Sequence, residues 1–438
     1  MSTTSRKELP LPGAGGGKRM RGVILPVAGW RLSGLLEAPH RLGFALAMLV
    51  LIGSAIWWGL VQWDRFTGHL GLRYAVSPTL THAAVMSLGF IPLFFAGFLF
   101  TAGPKWLAVE APSARQLLPA LLFQFAGWCL WLAGSHGHLA VATVGLALAL
   151  VGMTLMYVRF WSLLRRSPAP DRLHAKVVAV AGAVGLLALA GLLLALLAGR
   201  LDLGSALVRS GLWGFVVVTY VVVAHRMIPF FTSSAVPMVE VWRPFWVLWA
   251  LLAMVAMEWL AVWAEWAGWP AGREWMLVRG LLELAAGSVI LWLAFAWGLV
   301  QSLKIRLLAM LHLGFVWLGL SFVLAGLSQL LGLRTGIPLL GLGALHALTM
   351  GFLGSLMLAM VTRVSCGHSG RTLVADNLVW ALFWALQLAV VLRIVAVLLP
   401  EPTAVTALSA LLWALVSLLW GARLLGWYGR PRADGRPG

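Results

Sequence analysis

Residues 177–199 read VVAVAGAVGLLALAGLLLALLAG, a stretch without a single charged side chain. An α-helix rises about 1.5 Å per residue, so about 20 apolar residues cross the hydrocarbon core of a bilayer. A second uncharged run covers residues 284–300. These runs have the length of helices rather than of the alternating ~10-residue strands of an outer-membrane barrel. The sequence therefore predicts a chain of membrane-spanning helices.

The composition extends this prediction to the whole chain. Of 438 residues, 61% are hydrophobic and 11% are charged, and 25 are Trp. Soluble chains average about 45–50% apolar and about 25% charged residues, so we exclude a soluble globular enzyme, a disordered chain and a fibrous repeat. Only Cys129 and Cys366 are present, which excludes a disulfide framework and a four-cysteine metal site.

We predict an all-α, polytopic membrane protein with twelve spans, which puts both termini on one side. Of the 32 Lys and Arg residues, 24 lie on that side and 7 on the other, so the positive-inside rule predicts cytoplasmic termini. The net charge of +18 then reflects topology and not nucleic-acid binding. The predicted spans are 42–63, 79–103, 115–134, 139–160, 175–199, 206–228, 244–264, 276–300, 307–330, 338–362, 376–399 and 403–425.

Both ends of the chain are predicted to be cytoplasmic tails. Residues 1–38 are rich in Gly and basic residues and lack an apolar core, so we interpret them as a disordered tail and not as a signal peptide. Residues 429–438 form the second tail. The part between them, 39–428, is predicted to be a single membrane domain.

The membrane domain shows signs of an internal repeat. Ala-Pro-x-Arg-Leu opens spans 1 and 5, and the similar pentapeptides His-Ala-Ala-Val-Met and His-Ala-Leu-Thr-Met begin at His82 in span 2 and His346 in span 10, twice 132 residues apart. Three four-helix units fit this interval, as in the catalytic subunit of haem–copper oxidases. A transporter with two six-helix halves would repeat at roughly 190–200 residues, where no motif matches. The predicted pseudo-repeats are 39–170, 171–303 and 304–428.

Two histidines carry the main functional prediction. Ionisable residues inside a membrane are costly and are functional hypotheses by default. His82 and His346 lie one to two turns inside spans 2 and 10, at equivalent places of two repeats. If these spans face each other, the two imidazoles ligate one haem iron axially. We therefore predict one b-type haem there, with a helix–helix hydrogen bond from each His as the alternative.

A second group of histidines lies toward the cytoplasmic side. His225, His312 and His368, with Cys366 nearby, predict a site for copper or a second haem. The alternative is that His225 and His368 are solvated residues in turns fixed by Pro229 and the neighbouring glycines. The five other histidines, at helix ends and in loops, are interpreted as interfacial polar residues. These are His40, His69, His136, His138 and His174.

Glu258 and Glu283 fall in the outer thirds of spans 7 and 8, and Arg279 and Arg393 lie at similar depth. One interpretation is that Glu–Arg pairs neutralise the cost of a buried charge. The other is functional, with the glutamates on a proton path and both arginines binding haem propionates through their bidentate guanidinium groups. Both interpretations stay open at this point.

Three stretches resemble the signature sequences of the NnrS family. They are 97–106 (GFLFTAGPKW), 226–232 (RMIPFFT) and 346–371, which opens with HALTM and ends with RVSCGHSGR. The resemblance covers essentially residues 40–425. It implies a bacterial inner-membrane protein that contains haem and copper and takes part in the response to nitric oxide. The residues that match family histidines and arginines are His82, His346, His368, Arg226, Arg363 and Arg371.

The head of span 2 departs from the family pattern. Many members read Trp-His-x-His-Glu-Met there, whereas this chain reads THAAVM over residues 81–86. The second His and the Glu are missing, so a site that needs them is absent or uses other ligands. The chain therefore resembles a divergent branch.

The expected chemistry is redox or ligand chemistry with nitric oxide, or with another small diffusible ligand that arrives through the membrane lipid. A quinol or another electron donor is the expected partner, and nucleic acid is not. A bis-His haem has no open position, so it would carry electrons while the gas reacts at the second site or displaces a ligand. Whether the protein turns over a substrate stays open.

Two alternative functions stay open beside this one. A haem–copper-like nitric oxide or oxygen reductase would need clustered histidines on spans 6, 7 and 10, and span 7 contains none. A cofactor-free membrane transporter would show no haem absorption.

Overall fold

The computed structural model of this chain describes residues 29–236, 238–268 and 272–436, and every regular element there is helical. Twelve of these helices are long and apolar enough to cross a membrane, which confirms the predicted all-α, twelve-span fold. They are α1 (Pro39–Thr67), α2 (Pro78–Leu107), α3 (Ala114–Gly137), α4 (Leu139–Arg166), α5 (Leu173–Leu197), α6 (Leu201–Ala235), α7 (Phe245–Trp266), α8 (Arg273–Ala296), α9 (Arg306–Gly332), α10 (Gly341–His368), α11 (Asn377–Ala396) and α12 (Thr403–Tyr428).

Most of these helices are longer than the predicted spans. The largest difference is in α6, which has 35 residues against a predicted span of 206–228. At about 1.5 Å per residue it is ~52 Å long, well beyond the ~30 Å hydrocarbon core. The extra turns carry polar residues such as Asp202 and Ser233. Hydropathy detects only the apolar part of such a helix, because the polar residues at its ends lower the local mean hydropathy.

Four helices form the interior of the bundle. Between 67% and 83% of the apolar stretch is buried in α2, α6, α9 and α10, against 39–44% in α3, α4, α5, α7, α8, α11 and α12. The less buried helices therefore provide most of the surface available to lipid. Polar side chains on the four inner helices are shielded from lipid by this outer layer.

Small residues let several of these helices approach closely. A Cβ on Gly127 of α3 would collide with backbone atoms of Gly145 and Ala149 in α4, and one on Gly287 of α8 would collide with the backbone of α9. Such contacts are the usual means of close packing between membrane helices. Helix α12 packs against both α11 and α1, which closes the bundle.

Three inner helices each contain a π-helical segment, at Val85–Gly89 in α2, Leu212–Val217 in α6 and Ala347–Gly354 in α10. Single π-helical turns occur frequently at functional sites. The segments lie in the second helix of each predicted repeat and recur at intervals close to 132 residues. The three-repeat layout stays a prediction, and these segments agree with it.

The two ends of the described chain meet on one face of the bundle, which we call the termini face. Most of the predicted N-terminal tail, residues 1–28, lies outside the described residues. Leu32–Glu37 forms a 3-10 helical turn, and the Arg31 N–H donates to the Gly429 carbonyl at 2.8 Å. The prediction of disorder is therefore wrong for this turn, because hydrogen bonds to the end of α12 hold it in a way that composition does not reveal. That the termini face is cytoplasmic stays a prediction.

Candidate functional site

A large cavity opens near the face opposite the termini, and we call it cavity A. It encloses about 1160 Å³ of space not occupied by atoms, including its mouth. Helices α1, α2, α6, α10, α11 and α12 supply its walls, which are mostly apolar. Such a cavity, apolar with a few polar groups, is the usual form of a cofactor site. The polar and aromatic residues of the lining are Trp58, Thr79, His82, Ser87, Phe90, Arg209, Tyr220, His346, Thr349, Arg393, Thr406, Ser409 and Trp413.

His346 stands in the second turn of α10, directly before the π-helical segment. Its Nδ1 lies 2.7 Å from the carbonyl oxygen of Leu342, one turn earlier in the same helix. A carbonyl only accepts, so Nδ1 carries the proton and Nε2 keeps its lone pair. A metal-binding His is typically oriented in this way, by a second hydrogen bond from its other nitrogen.

His82 occupies the matching place in α2. Its helix begins at Pro78, and its ring is stacked on Trp58 of α1 with 3.8 Å between ring centroids and 13° between planes. The Nδ1 atom is buried and has no hydrogen-bond partner in the part of the chain that the structure describes. Trp58 in turn lies under the Arg65 guanidinium, 5.3 Å from its ring centroid. The structure thus brings both predicted haem ligands to the wall of one cavity.

Arg393, the other residue predicted to bind a haem propionate, also lines cavity A. Among the described residues no carboxylate forms an ion pair with it. A half-buried guanidinium without an anion is costly inside a membrane. Cavity A is therefore suited to a ligand that carries an anionic group.

Arg279 lies elsewhere, and the prediction that it binds a haem propionate is wrong. It forms ion pairs with three carboxylates, those of Glu258 on α7, Glu265 at the end of α7, and Glu283 on its own helix. Its hydrogen-bonding groups are therefore occupied by protein, and it does not line cavity A. Of the two interpretations that the sequence left open for Arg279, the ion pairing with glutamates is the one that the structure contains.

The second predicted metal cluster does not form. His225 Nδ1 contacts His174 Nε2 at 3.0 Å and its Nε2 contacts the Pro244 carbonyl at 3.2 Å. His312 Nε2 instead lies 2.9 Å from the Thr232 hydroxyl. Within the described ranges no group of three or more His, Cys, Asp or Glu residues is placed to hold a metal ion. The prediction that His225, His312 and His368 share copper or a second haem is therefore wrong, because their helices direct each ring to a different neighbour.

Two histidines that the sequence analysis assigned to the interface are buried partners of this group. His40 is only 4% exposed and its ring centroid lies 4.4 Å from that of His368, while His174 is 2% exposed and bonds to His225. The Ala-Pro-x-Arg-Leu motif could have identified them. His40 lies inside the motif that opens α1, and His174 directly follows the one that opens α5.

Comparison with known proteins gives one result. A protein-family model described as NnrS protein matches residues 34–432, which include every residue of cavity A. Among the curated proteins and among the solved structures, none matches.

Proposed function

The chain belongs to the NnrS family, and we propose that it is a haem-binding membrane protein of the nitric-oxide response. The observation that carries this proposal is the position of His82 and His346. Two imidazoles on two different inner helices line one cavity, and one of them has its Nε2 freed by a hydrogen bond from Nδ1. Imidazole is the commonest biological ligand of haem iron.

The residues of cavity A divide into three roles in this proposal. His82 and His346 would hold the haem iron through their imidazole nitrogens. Arg393, which has no carboxylate partner in the described residues, would bind a propionate. The apolar walls would exclude water from the porphyrin faces. A haem bound there supplies one-electron redox chemistry and affinity for nitric oxide.

The two histidines are held with different strength. A hydrogen bond from Nδ1 fixes the ring of His346, whereas His82 is held by stacking on Trp58. We infer that His82 is the ring that moves aside when a small ligand enters the cavity. Nitric oxide is an apolar gas and reaches the cavity through the membrane lipid, while a quinol or another electron donor is the expected source of electrons.

Copper has no comparable support in this chain. Among the described residues no group of three or more His, Cys, Asp or Glu side chains is placed to hold a metal ion, so we assign no copper site and no reaction to that metal. The same observation weighs against a haem–copper-like reductase, since such a centre needs clustered histidines beside the haem.

The absorption spectrum of the purified protein tests the proposal. Protein from haem-replete cells should show a Soret band that falls sharply in both His82→Ala and His346→Ala. His69→Ala is the matched control, because His69 is an exposed His on the same side of the bundle. A colourless wild-type preparation, or a Soret band unaffected by both substitutions, would contradict the proposal and favour the cofactor-free transporter.

A further inference from the structure

A second cavity, cavity B, lies beside cavity A toward the face opposite the termini. It encloses about 1380 Å³ of space not occupied by atoms, including its mouth, between α6, α7, α8, α9 and α10. Arg209, Leu342 and Leu345 line both cavities. The two cavities are therefore separated in part by single side chains.

A compact charge cluster lines cavity B. Arg279 donates from Nη2 to Glu258 Oε2 at 2.9 Å and from Nε to Glu283 Oε1 at 2.7 Å. Its Nη1 donates to Glu265 Oε1, and Glu265 Oε2 accepts from Arg209 Nη1 at 3.2 Å. Glu283 is fully buried and Glu258 is 5% exposed, whereas Glu265 and Arg209 reach the surface.

The count of charges in this cluster does not balance. Three glutamates face two arginines, which leaves one negative charge in excess. The other groups on the lining from α9, α10 and the end of α11 are neutral; the polar ones are Ser321, Ser328 and Gln329. An uncompensated charge inside a membrane protein is costly and is relieved by taking up a proton.

The hydrogen bonds show where that proton belongs. Glu258 Oε1 and Glu283 Oε2 are both buried, and neither has a donor in the described part of the chain. Both carboxyl groups accept from the same Arg279 guanidinium, which brings them side by side. An ionised carboxylate only accepts, so a proton on one of the two would supply the hydrogen-bond donor that this pair lacks. The same proton removes the excess charge.

We propose that Glu258 and Glu283 share one exchangeable proton, and that cavity B connects this proton site to water on the face opposite the termini through Arg209 and Glu265. The ligand is a proton rather than a metal cation, because the Arg279 guanidinium already occupies the centre of the carboxylate group. The site itself does not depend on a haem. Its use, as a proton donor or acceptor for chemistry in cavity A, rests on the proposed function.

Infrared spectroscopy of the carboxyl C=O stretch tests the site directly. Wild-type protein at neutral pH should show the band of a protonated carboxyl group that shifts in D2O and is lost in Glu283→Gln and in Glu258→Gln. Glu274→Gln, an exposed residue on the same helix as Glu283, should keep the band. Apoprotein from haem-deficient cells should give the same spectrum, which separates this result from the fate of the haem proposal.

Three results would overturn the proton site. They are a wild-type spectrum without a protonated carboxyl band, a band that persists in both Gln variants, and a band that stays unshifted after long exposure to D2O. The first and the third result are obtained with wild-type protein alone, so the proton site can be refuted even if a variant fails to fold. If the site serves cavity A, reduction of the haem-loaded protein should in addition perturb this band, and an unperturbed band would refute that role alone.

Discussion

Replacement of Arg279 by Met tests how much of the fold depends on the charge cluster of cavity B. The substitution keeps most of the side-chain length but removes the cation that bonds to Glu258, Glu265 and Glu283. Two of those three partners are buried, so the substitution leaves them without a cation in a site largely removed from water. The expected result is a strongly destabilised protein.

The magnitude follows from the burial of each partner. Glu283 is 0% and Glu258 is 5% exposed, and removal of one partner from a buried ion pair costs about 3–5 kcal/mol of unfolding free energy. The Glu265 side chain is 38% exposed, and a pair at such a position contributes about 0.2–1 kcal/mol. Arg279→Met should therefore cost several times more than Glu265→Gln, although both remove contacts in one cluster.

Stability of the purified protein in detergent, followed by denaturant unfolding, measures this difference. The deficit of Arg279→Met should shrink as the pH falls, because a buried carboxylate that has lost its cation is relieved by taking up a proton. A deficit no larger than that of Glu265→Gln, or one that grows on acidification, would refute the reasoning.

Three further predictions concern cavity A, helix packing and a helix end. Arg393→Leu should lower the affinity for haem by about 30-fold or more, since loss of one partner of a buried charge pair costs about 2–5 kcal/mol. Titration of the apoprotein with haem measures this affinity. The control is Arg73→Leu, which changes an exposed residue on the same side of the bundle and should keep the wild-type affinity. Gly127→Val should abolish folded yield in size-exclusion chromatography because a Cβ there meets α4 backbone, whereas Gly53→Ala, with open space around it, should not. Asp376 caps α11 by accepting from the Val379 N–H at 3.1 Å, so Asp376→Ala should cost about 1 kcal/mol in thermal unfolding and Asp376→Asn less. Burial raises the pKa of Asp376, but the hydrogen bonds from the Val379 N–H and Arg423 lower it by more, so the pKa is depressed overall. The stabilisation by Asp376 is therefore present above the pKa of its unfolded state and is lost as the pH falls through the pKa of its folded state. Equal stability of the Ala variant and wild type at neutral pH would contradict this role.

The candidate site could be predicted in part from local sequence. His82 and His346 share their depth in the helix and the residues that follow them, and both lie on inner helices that face cavity A. A repeat preserves the position of equivalent residues, so a shared offset carries three-dimensional information. The residues of the predicted copper cluster do not share such an offset. His225, His312 and His368 had in common only their nearness to the same membrane face, and many side chains share a face without touching.

The pairings of the buried polar residues could not be predicted. His225 bonds to His174, 51 residues away, and His368 lies against His40 at the other end of the chain. Arg279 has its carboxylate neighbours on α7 as well as on its own helix, which leaves it no group for a propionate. Each pairing depends on which helices are neighbours and on how each is rotated about its axis.

The sequence by itself determined that the chain has twelve helices long and apolar enough to cross a membrane, and which few polar residues lie within them. The bilayer imposes that result locally, since every stretch of about 20 apolar residues must form a helix that satisfies its own backbone hydrogen bonds. Only the tertiary structure decided which of those polar residues meet. Contacts between helices are set by the shape and rotation of faces distant in sequence, and the apolar length that defines a span contains no information about them.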